Sequence, residues 1–311
     1  MNILLGCNHL HELGGSEQFN YTLAKALKDE GANVYVMLGN HTLKGLMSDK
    51  MKVDLDIDVD VIPKNIKIDA VLLSHNSTIS RFNKEVFSRE DLDFNENNIY
   101  QICHGKFHDV ERPQFWNKLK YLCISEEISE YVINIIRDNS KVFIIQNPID
   151  IVEFNFTEIN EKPKKLYSLS QSQIMNQMLS EICTELGIAF DYNNKHTNPT
   201  NNIASRMLDA DIVVSLGRGC YEAMSMGKNV IVADYRDYMN KGLMDGMINN
   251  DNFDNFLQNN CSGRFSNIEI TKEKLIAEIN KYSKIQGSKN REFAEKYFNS
   301  NEFAKLLISI F

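Results

Sequence analysis

The residue types and spacings with the most chemical content lie between Asp211 and Lys228. Asp211-Ile-Val-Val-Ser-Leu runs into Gly217-Arg218-Gly219, then Cys220-Tyr221-Glu222-Ala-Met-Ser-Met, then Gly227. This predicts a strand over 211–216, a glycine turn, and a short helix over 219–226 that stops at Gly227 as its C′ residue. A helix N-terminus beside a guanidinium suits a diphosphate, because backbone N–H groups and a planar fork of donors converge on its oxygens. Arg218 and the backbone of Gly219, Cys220, Tyr221 and Glu222 are therefore candidate anion binders. The Glu222 carboxylate, about one turn in, can accept from two adjacent hydroxyls, as on a ribose. Its plain alternative is to complement the helix dipole, worth about 0.3–1 kcal/mol. Gly217-x-Gly219 also opens a dinucleotide fingerprint, but Glu222 replaces the third glycine.

A second turn reads His9-Leu-His-Glu-Leu-Gly14-Gly15-Ser16-Glu17. Paired glycines let a ligand approach the backbone, with the positive end of the following helix behind them. Ser16 is the expected N-cap, with Glu17 in the first turn of the helix. The plain alternative is a strand-to-helix turn that needs positive φ. Histidines form a third set. His104, followed by Gly105, ends the run Tyr100-Gln-Ile-Cys, and His75 ends Asp69–Ser74. Either is also compatible with a structural role. His104 and His108 have metal-ligand spacing for a helix, but Gly105 argues against a helix and no third ligand is obvious. Asp54, Asp56, Asp58 and Asp60 alternate with apolar residues, which predicts one wet face and no acid–base pair. There is no Gly-x-Ser-x-Gly elbow and no zinc motif.

The elements that must position these groups follow a strand–helix rhythm. Strands are expected at Asn2–Gly6, Asn33–Leu38, Asp69–Ser74, Ile99–Cys103, Leu119–Ile124 and Lys141–Gln146. Helices are expected over 16–31 and from about Ser125 to Asn139 and Ser140. Residues 147–163 break the rhythm. It restarts with strands at Lys165–Leu169, Ile188–Tyr192, Asp211–Leu216 and Asn229–Ala233. Helices are expected at 172–186 (through Ile174, Met178 and Ile182), 202–209 and 219–226, then near 252–259, 271–285 and 291–311. Such alternation predicts an α/β fold of two Rossmann-like domains with parallel sheets, ligands lying at the carboxyl ends of the strands in a cleft between them. The domains are placed at 1–150 and 151–290, followed by a C-terminal helical stretch at 291–311.

The chain has 311 residues, a net charge of −8 and 43% hydrophobic residues, with a pI near 5.5. This is an ordinary globular mixture, and its acidity argues against a global positive field for nucleic acid. The apolar runs are too short to span a bilayer. No secretory signal is visible, and the six cysteines form no CxxC pair, so reduced thiols and a cytoplasmic location are expected.

Three segments, in order, resemble the retaining glycosyltransferases of family 4, which have the GT-B fold. Gly14-Gly15-Ser16-Glu17 is similar to that family's GG-x-E turn. Cys123-Ile-Ser-Glu-Glu-Ile with Lys141-Val-Phe-Ile-Ile-Gln-Asn-Pro-Ile-Asp150 resembles its join between domains. Glu222-Ala-Met-Ser-Met-Gly-Lys-Asn-Val-Ile-Val resembles its donor motif, in a short variant. The first of the family's two glutamates falls at Val214, and Ser168–Asn176 lacks the usual Arg and Lys. Arg218 and then Arg264, in Asn259-Asn-Cys-Ser-Gly-Arg264, are left to meet a diphosphate.

The resemblance implies metal-independent transfer, with retention, of a sugar from a nucleotide diphosphate sugar to an acceptor hydroxyl, with no cofactor beyond that co-substrate. Gly14, Gly15, Arg218, Gly219, Cys220, Tyr221, Glu222 and Arg264 would bind the donor. His104 would contact the transferred sugar, and His75 and Glu17 the sugar or acceptor. The last helix would cross back onto the first domain. A glycan or lipid-linked glycan is the expected acceptor, with peripheral membrane contact through residues 44–52 as one candidate. A phage-type DNA acceptor is the alternative, with Lys106, Arg112, Lys118 and Lys120 interleaved with Phe107, Phe115 and Trp116. A sugar-nucleotide epimerase or hydrolase, or a non-catalytic relative, are the remaining readings.

Overall fold

The first strand, β1 (Asn2–Cys7), is almost wholly buried, as a central parallel strand must be when helices cover both faces of its sheet. The computed structural model describes residues 1–311 except 13, 196, 199, 201, 237–240 and the side chain of Arg236. After β1 come α1 (Gly15–Asp29), β2 (Asn33–Leu38), α2 (Leu46–Leu55), β3 (Ile66–Ile68), β4 (Ala70–Ser74), α3 (Asn76–Arg81), β5 (Leu92–Phe94), β6 (Ile99–Cys103), β7 (Lys120–Cys123), α4 (Glu126–Ile136) and β8 (Val142–Ile144). Six of these strands form one sheet in the order β2-β1-β4-β6-β7-β8, with every pairing parallel. The strands β3 and β5 pair separately. The order reverses between β1 and β4, so the carboxyl ends of these two strands mark the place where such a sheet binds ligands.

The second sheet is built from β9 (Lys165–Ser168), β10 (Ala189–Tyr192), β11 (Ile212–Ser215), β12 (Asn229–Arg236), β13 (Lys241–Met247) and β14 (Ile268–Glu269), in the order β10-β9-β11-β12-β13-β14. Its helices are α5 (Gln173–Leu186), α6 (Ile203–Met207), α7 (Arg218–Ser225), α8 (Phe253–Gln258), α9 (Lys272–Ile279) and α10 (Lys284–Tyr297). Here the reversal lies between β9 and β11. Two separate apolar clusters fill the spaces on the sheet's two faces, one with Tyr221, Met224 and Phe298, the other with Leu179, Ile182 and Val214.

Several expectations need correction. The strand β13 runs antiparallel to β12 and was not foreseen, because Lys-Gly-Leu-Met-Asp-Gly-Met carries two glycines and no continuous apolar run. The buried face of α5 is Met175, Leu179, Ile182 and Cys183, while Ile174 is 61% exposed. The expected stripe was thus displaced by one residue at its start. α4 ends at Ile136, where Arg137 turns left-handed at φ 62°, before the expected stop at Asn139 and Ser140. β8 is an edge strand with Phe143 and Ile144 exposed, so it is not a buried one.

Two compact units result, Met1–Pro148 with Ser300–Phe311, and Ile149–Asn299. The C-terminal stretch 291–311 is divided between them. Tyr221 stacks on Phe298 at 4.0 Å and keeps the end of α10's run in the second unit. α11 (Ser300–Ile310) packs on α1, with Ala304 and Leu307 in the first unit's core.

Candidate functional site

The carboxyl ends of β1, β4 and β6 bring four histidines and two carboxylates to one place in the first unit. His75 follows β4 directly and holds φ 72°, ψ 149°, a left-handed backbone uncommon for a side chain other than glycine and often found where position matters more than comfort. Its Nδ1 accepts from the Asn8 N–H at 3.3 Å. That assigns the ring proton to Nε2, which lies 3.6 Å from Glu111 Oε1. The His104 N–H donates to Glu111 Oε2 at 3.3 Å. The His104 ring meets Ser74 Oγ through Nε2 at 3.0 Å and takes Phe19 edge-on at 4.7 Å. The His75 and His104 ring centres are 5.9 Å apart. Asn20, fully buried, donates to Ser74 Oγ at 3.2 Å. Burial pushes the Glu111 carboxyl up. The hydrogen bond from His75, the charges of His104 and His75 and the His104 amide outweigh it, and the group settles at about 2.

Glu17 lies beside this cluster with its carboxylate buried, 2.8 Å from His9 Nδ1 and accepting from Ser16 Oγ at 3.0 Å. Burial holds the His9 imidazole below its usual range, against the pull of Glu17. Ser16 is therefore not the N-cap. Gly14 is, with φ −85° and no side-chain hydrogen bond. The glycine requirement also differs from the expected one, since neither Gly14 nor Gly15 has positive φ. A Cβ on Gly14 would stand 2.3 Å from Glu17 Oε2, while one on Gly15 would meet nothing within 4 Å. Gly14 makes room for a carboxylate, and Gly15 opens onto unfilled space.

In the second unit, β11 leads through Leu216 to Gly217, the N-cap of α7, whose φ 55°, ψ −130° favours glycine strongly. The Gly217 N–H donates to Cys261 O at 2.9 Å, and the Cys220 N–H folds back to Gly217 O at 3.0 Å. A Cβ on Gly219 would lie 2.3 Å from Ser215 Oγ and 2.8 Å from Leu169 Cδ1, so α7 can start this close to the strand ends only with glycine there. Arg218 and Glu222 are one turn apart and paired, Nε to Oε1 at 2.7 Å, and their side chains are only 10% and 8% exposed. Burial raises the Glu222 pKa and Arg218 opposes that rise. The side chains of Cys220 and Tyr221 point into the core, so only their backbone is offered outward, and the Cys220 amide is already used.

The loop that carries Arg264 meets this turn. Asn260, Cys261 and Gly263 are left-handed, with φ 51°, 46° and 74°. The loop closes on the turn through Cys261 O, and a Cβ on Gly263 would press on Leu216 at 2.8 Å. Asp245 accepts from the Ser266 N–H at 2.7 Å and holds the far side of the loop. By contrast, the turn after β9 is neutral at its surface. Ser168 Oγ donates to Asn176 at 2.7 Å, Asn176 donates to Ser170 O at 3.0 Å, and Ser170 Oγ donates to the buried carboxylate of Asp234. The described side chains of Ser168–Asn176 include no cation, whereas the α7 start carries Arg218.

The structure thus gathers Gly14, Glu17, His75 and His104 at one set of strand ends, and Arg218, Gly219, Glu222 and the loop of Arg264 at the other. It adds His9, Asn20, Ser74 and Glu111, none of which the sequence singled out. Glu111 sits in a polar stretch, Asp109-Val-Glu, with no periodicity to flag it. Among the described residues no cluster of three or more His, Cys, Asp or Glu is arranged to hold a metal ion. Other candidate surfaces are largely self-satisfied. In α2, Met47 and Met51 are fully buried while Leu46 is exposed, Lys50 lies over the Tyr21 ring and Lys52 pairs with Asp56 and Asp58, so the two methionines are not part of any membrane-facing surface. Lys106 pairs with Glu127, Lys118 with Glu96, and Lys120 lies over Tyr100. These contacts neutralise much of the proposed DNA-facing segment. No helix of the described residues is long and apolar enough to cross a membrane.

No family model matches the chain, and no curated protein matches it significantly. Solved structures do. A glycosyltransferase from Rickettsia africae superposes with a TM-score of 0.62 at 14% identity, over 99% of this chain and 97% of that one. Anabaena HepE in complex with UDP gives 0.62 at 14% over the whole of both chains. WaaG, a glycosyltransferase involved in lipopolysaccharide biosynthesis, gives 0.52 at 10% over 98% and 99%. At such identities the likeness is one of fold, and that fold is the GT-B fold of glycosyltransferases.

Proposed function

We propose that the chain is a glycosyltransferase that moves a sugar from a nucleotide diphosphate donor to an acceptor hydroxyl, with retained anomeric configuration. The observation that carries this is the α7 turn, where Arg218 and Glu222 lie buried beside a glycine-lined helix start at the strand-order reversal of the second sheet. On this reading Glu222 exchanges part of its bond to Arg218 for the ribose hydroxyls. Arg218, the remaining α7 amides and Arg264 meet the diphosphate, whose negative charge grows as the sugar–oxygen bond breaks. The acceptor oxygen bonds to the anomeric carbon on the face the leaving group vacates, and its proton passes to the departing phosphate oxygen. His104, steadied by Ser74 and Glu111, orients the sugar, and Gly14, Gly15, Glu17 and His75 face donor or acceptor. The second unit holds the donor and the first the acceptor. Anabaena HepE, which shares the fold, has been solved with UDP-glucose, which supports a nucleotide sugar here. A glycan or lipid-linked glycan is the acceptor we favour. All six cysteines are free and buried, in keeping with a cytoplasmic enzyme.

Calorimetry with UDP-, GDP-, ADP- and CMP-sugars tests the reading. One of the diphosphate sugars is expected to bind, and Glu222→Ala to weaken it about 10- to 100-fold, the worth of one or two hydrogen bonds to a charged group. Glu222→Gln, which keeps the shape, controls for damage to the turn. Unchanged affinity in both variants removes Glu222 from the site. Because arginines and helix dipole meet the leaving charge, turnover is expected to survive EDTA; loss that manganese or magnesium restores would overturn that arrangement.

A further inference from the structure

The second unit carries a groove of about 320 Å³ between α5 and the edge strand β10. Gln173, Gln177 and Ser180 stand at i, i+4 and i+7 on α5, so the groove follows the flank of that helix for two turns, starting at the end of β10, where Tyr192 and Thr197 line it. Its floor is aromatic. Phe190 and Tyr192, two apart and hence on one face of β10, are half-buried and hold their rings 15° from parallel, with centres 5.9 Å apart. Asp191 between them points to the other face, where Arg206 binds it. The Gln177 amide is fixed by its bond to Glu181 at 3.1 Å. None of the described residues lining the groove is charged.

Flat aromatic faces suit the C–H face of a pyranose, and amides and a hydroxyl both donate to and accept from sugar hydroxyls. A phosphate would find no cation among the described lining residues, and an apolar helix would bury the glutamines unsatisfied. We propose that this groove is a binding site for a neutral oligosaccharide, separate from the α7 turn. The proposal does not depend on catalysis.

Its test is a calorimetric titration of the full chain with maltohexaose, cellohexaose and chitohexaose. At least one is expected to bind, and Tyr192→Ala and Gln177→Ala each to weaken it by about tenfold, with nucleotide-sugar affinity unchanged. Gln177 is exposed, so its variant reports on binding even if Tyr192→Ala disturbs the strand. Failure of all three sugars to bind at millimolar concentration overturns the proposal, as does binding that survives both substitutions. Loss of nucleotide-sugar affinity in Tyr192→Ala, with oligosaccharide binding intact, would make the rings a base platform and also overturn it. Oligosaccharide binding by a chain that takes no nucleotide sugar would leave this site standing and remove the transferase reading.

Discussion

Asp211→Ala is expected to destabilise the second unit by about 3–5 kcal/mol, because a buried donor left without its acceptor costs about 1–3 kcal/mol and several are stranded at once. Asp211 opens the segment that carries the α7 turn, yet its carboxylate, 1% exposed, makes no approach to that turn's ligand face. It accepts from the Asn160 N–H and side chain at 2.8 and 2.9 Å, and from the Lys164 and Lys165 N–H groups at 2.7 and 3.1 Å. It thereby pins the segment 160–165 that leads into β9. Alanine would leave these donors without their acceptor, whereas Asp211→Asn keeps an acceptor oxygen and should cost less. The one tryptophan, Trp116, belongs to the first unit, which makes the two units separable in urea. Circular dichroism should lose amplitude at lower urea in Asp211→Ala, while the tryptophan transition stays in place. A common shift of both signals would mean that the units unfold together; unchanged dichroism would show that the network contributes little.

The second large effect is acid sensitivity of the first unit through Glu111. Its folded-state pKa, about 2, lies below the ordinary 4.5. Stability from this depression is therefore fully present above about pH 4.5 and is lost as pH falls through 4.5 towards 2. At 1.36 kcal/mol per unit, the upper bound is about 3 kcal/mol. Glu111→Gln should be less stable than wild type at neutral pH and show a flatter acid limb between those values. Urea midpoints followed by Trp116 fluorescence at several pH values read this directly. An acid limb as steep in the variant as in the wild type would place the sensitivity elsewhere, as on Asp60, whose carboxyl Arg81 holds below its ordinary value.

What could be read in advance divides along physical lines. Parallel strands buried on both faces, such as Ile3–Cys7 and Val71–Leu73, appear in the sequence as short continuous apolar runs, and the helices between them as amphipathic stretches. The two-unit α/β architecture was therefore legible. The glycine-flanked Arg218 and Glu222 were legible too, because a strand, a turn and a helix start leave a local signature. What pairs across the chain was not. Glu111 bridging two histidines from separate strands and Asp234 behind Ser170 are products of tertiary packing that no spacing encodes. The reason for Gly14 was missed for the same cause: the demand comes from a neighbouring carboxylate and not from the glycine's own backbone angles. β13 was lost because its glycines, one of them Gly246 at φ 92°, resemble turn residues.

The path of α11 bears on how the protein is made. Ala304 and Leu307 fill the first unit's core, and the Asn98 side chain donates to Phe311 O at 2.8 Å. Units generally fold in the order in which they leave the ribosome. Here the earlier half is synthesised first but lacks a piece of its interior until residues 300–311 emerge, so the second half can fold while the first still waits with an apolar face uncovered. A nascent chain stalled shortly before residue 300 should be the species most attractive to chaperones.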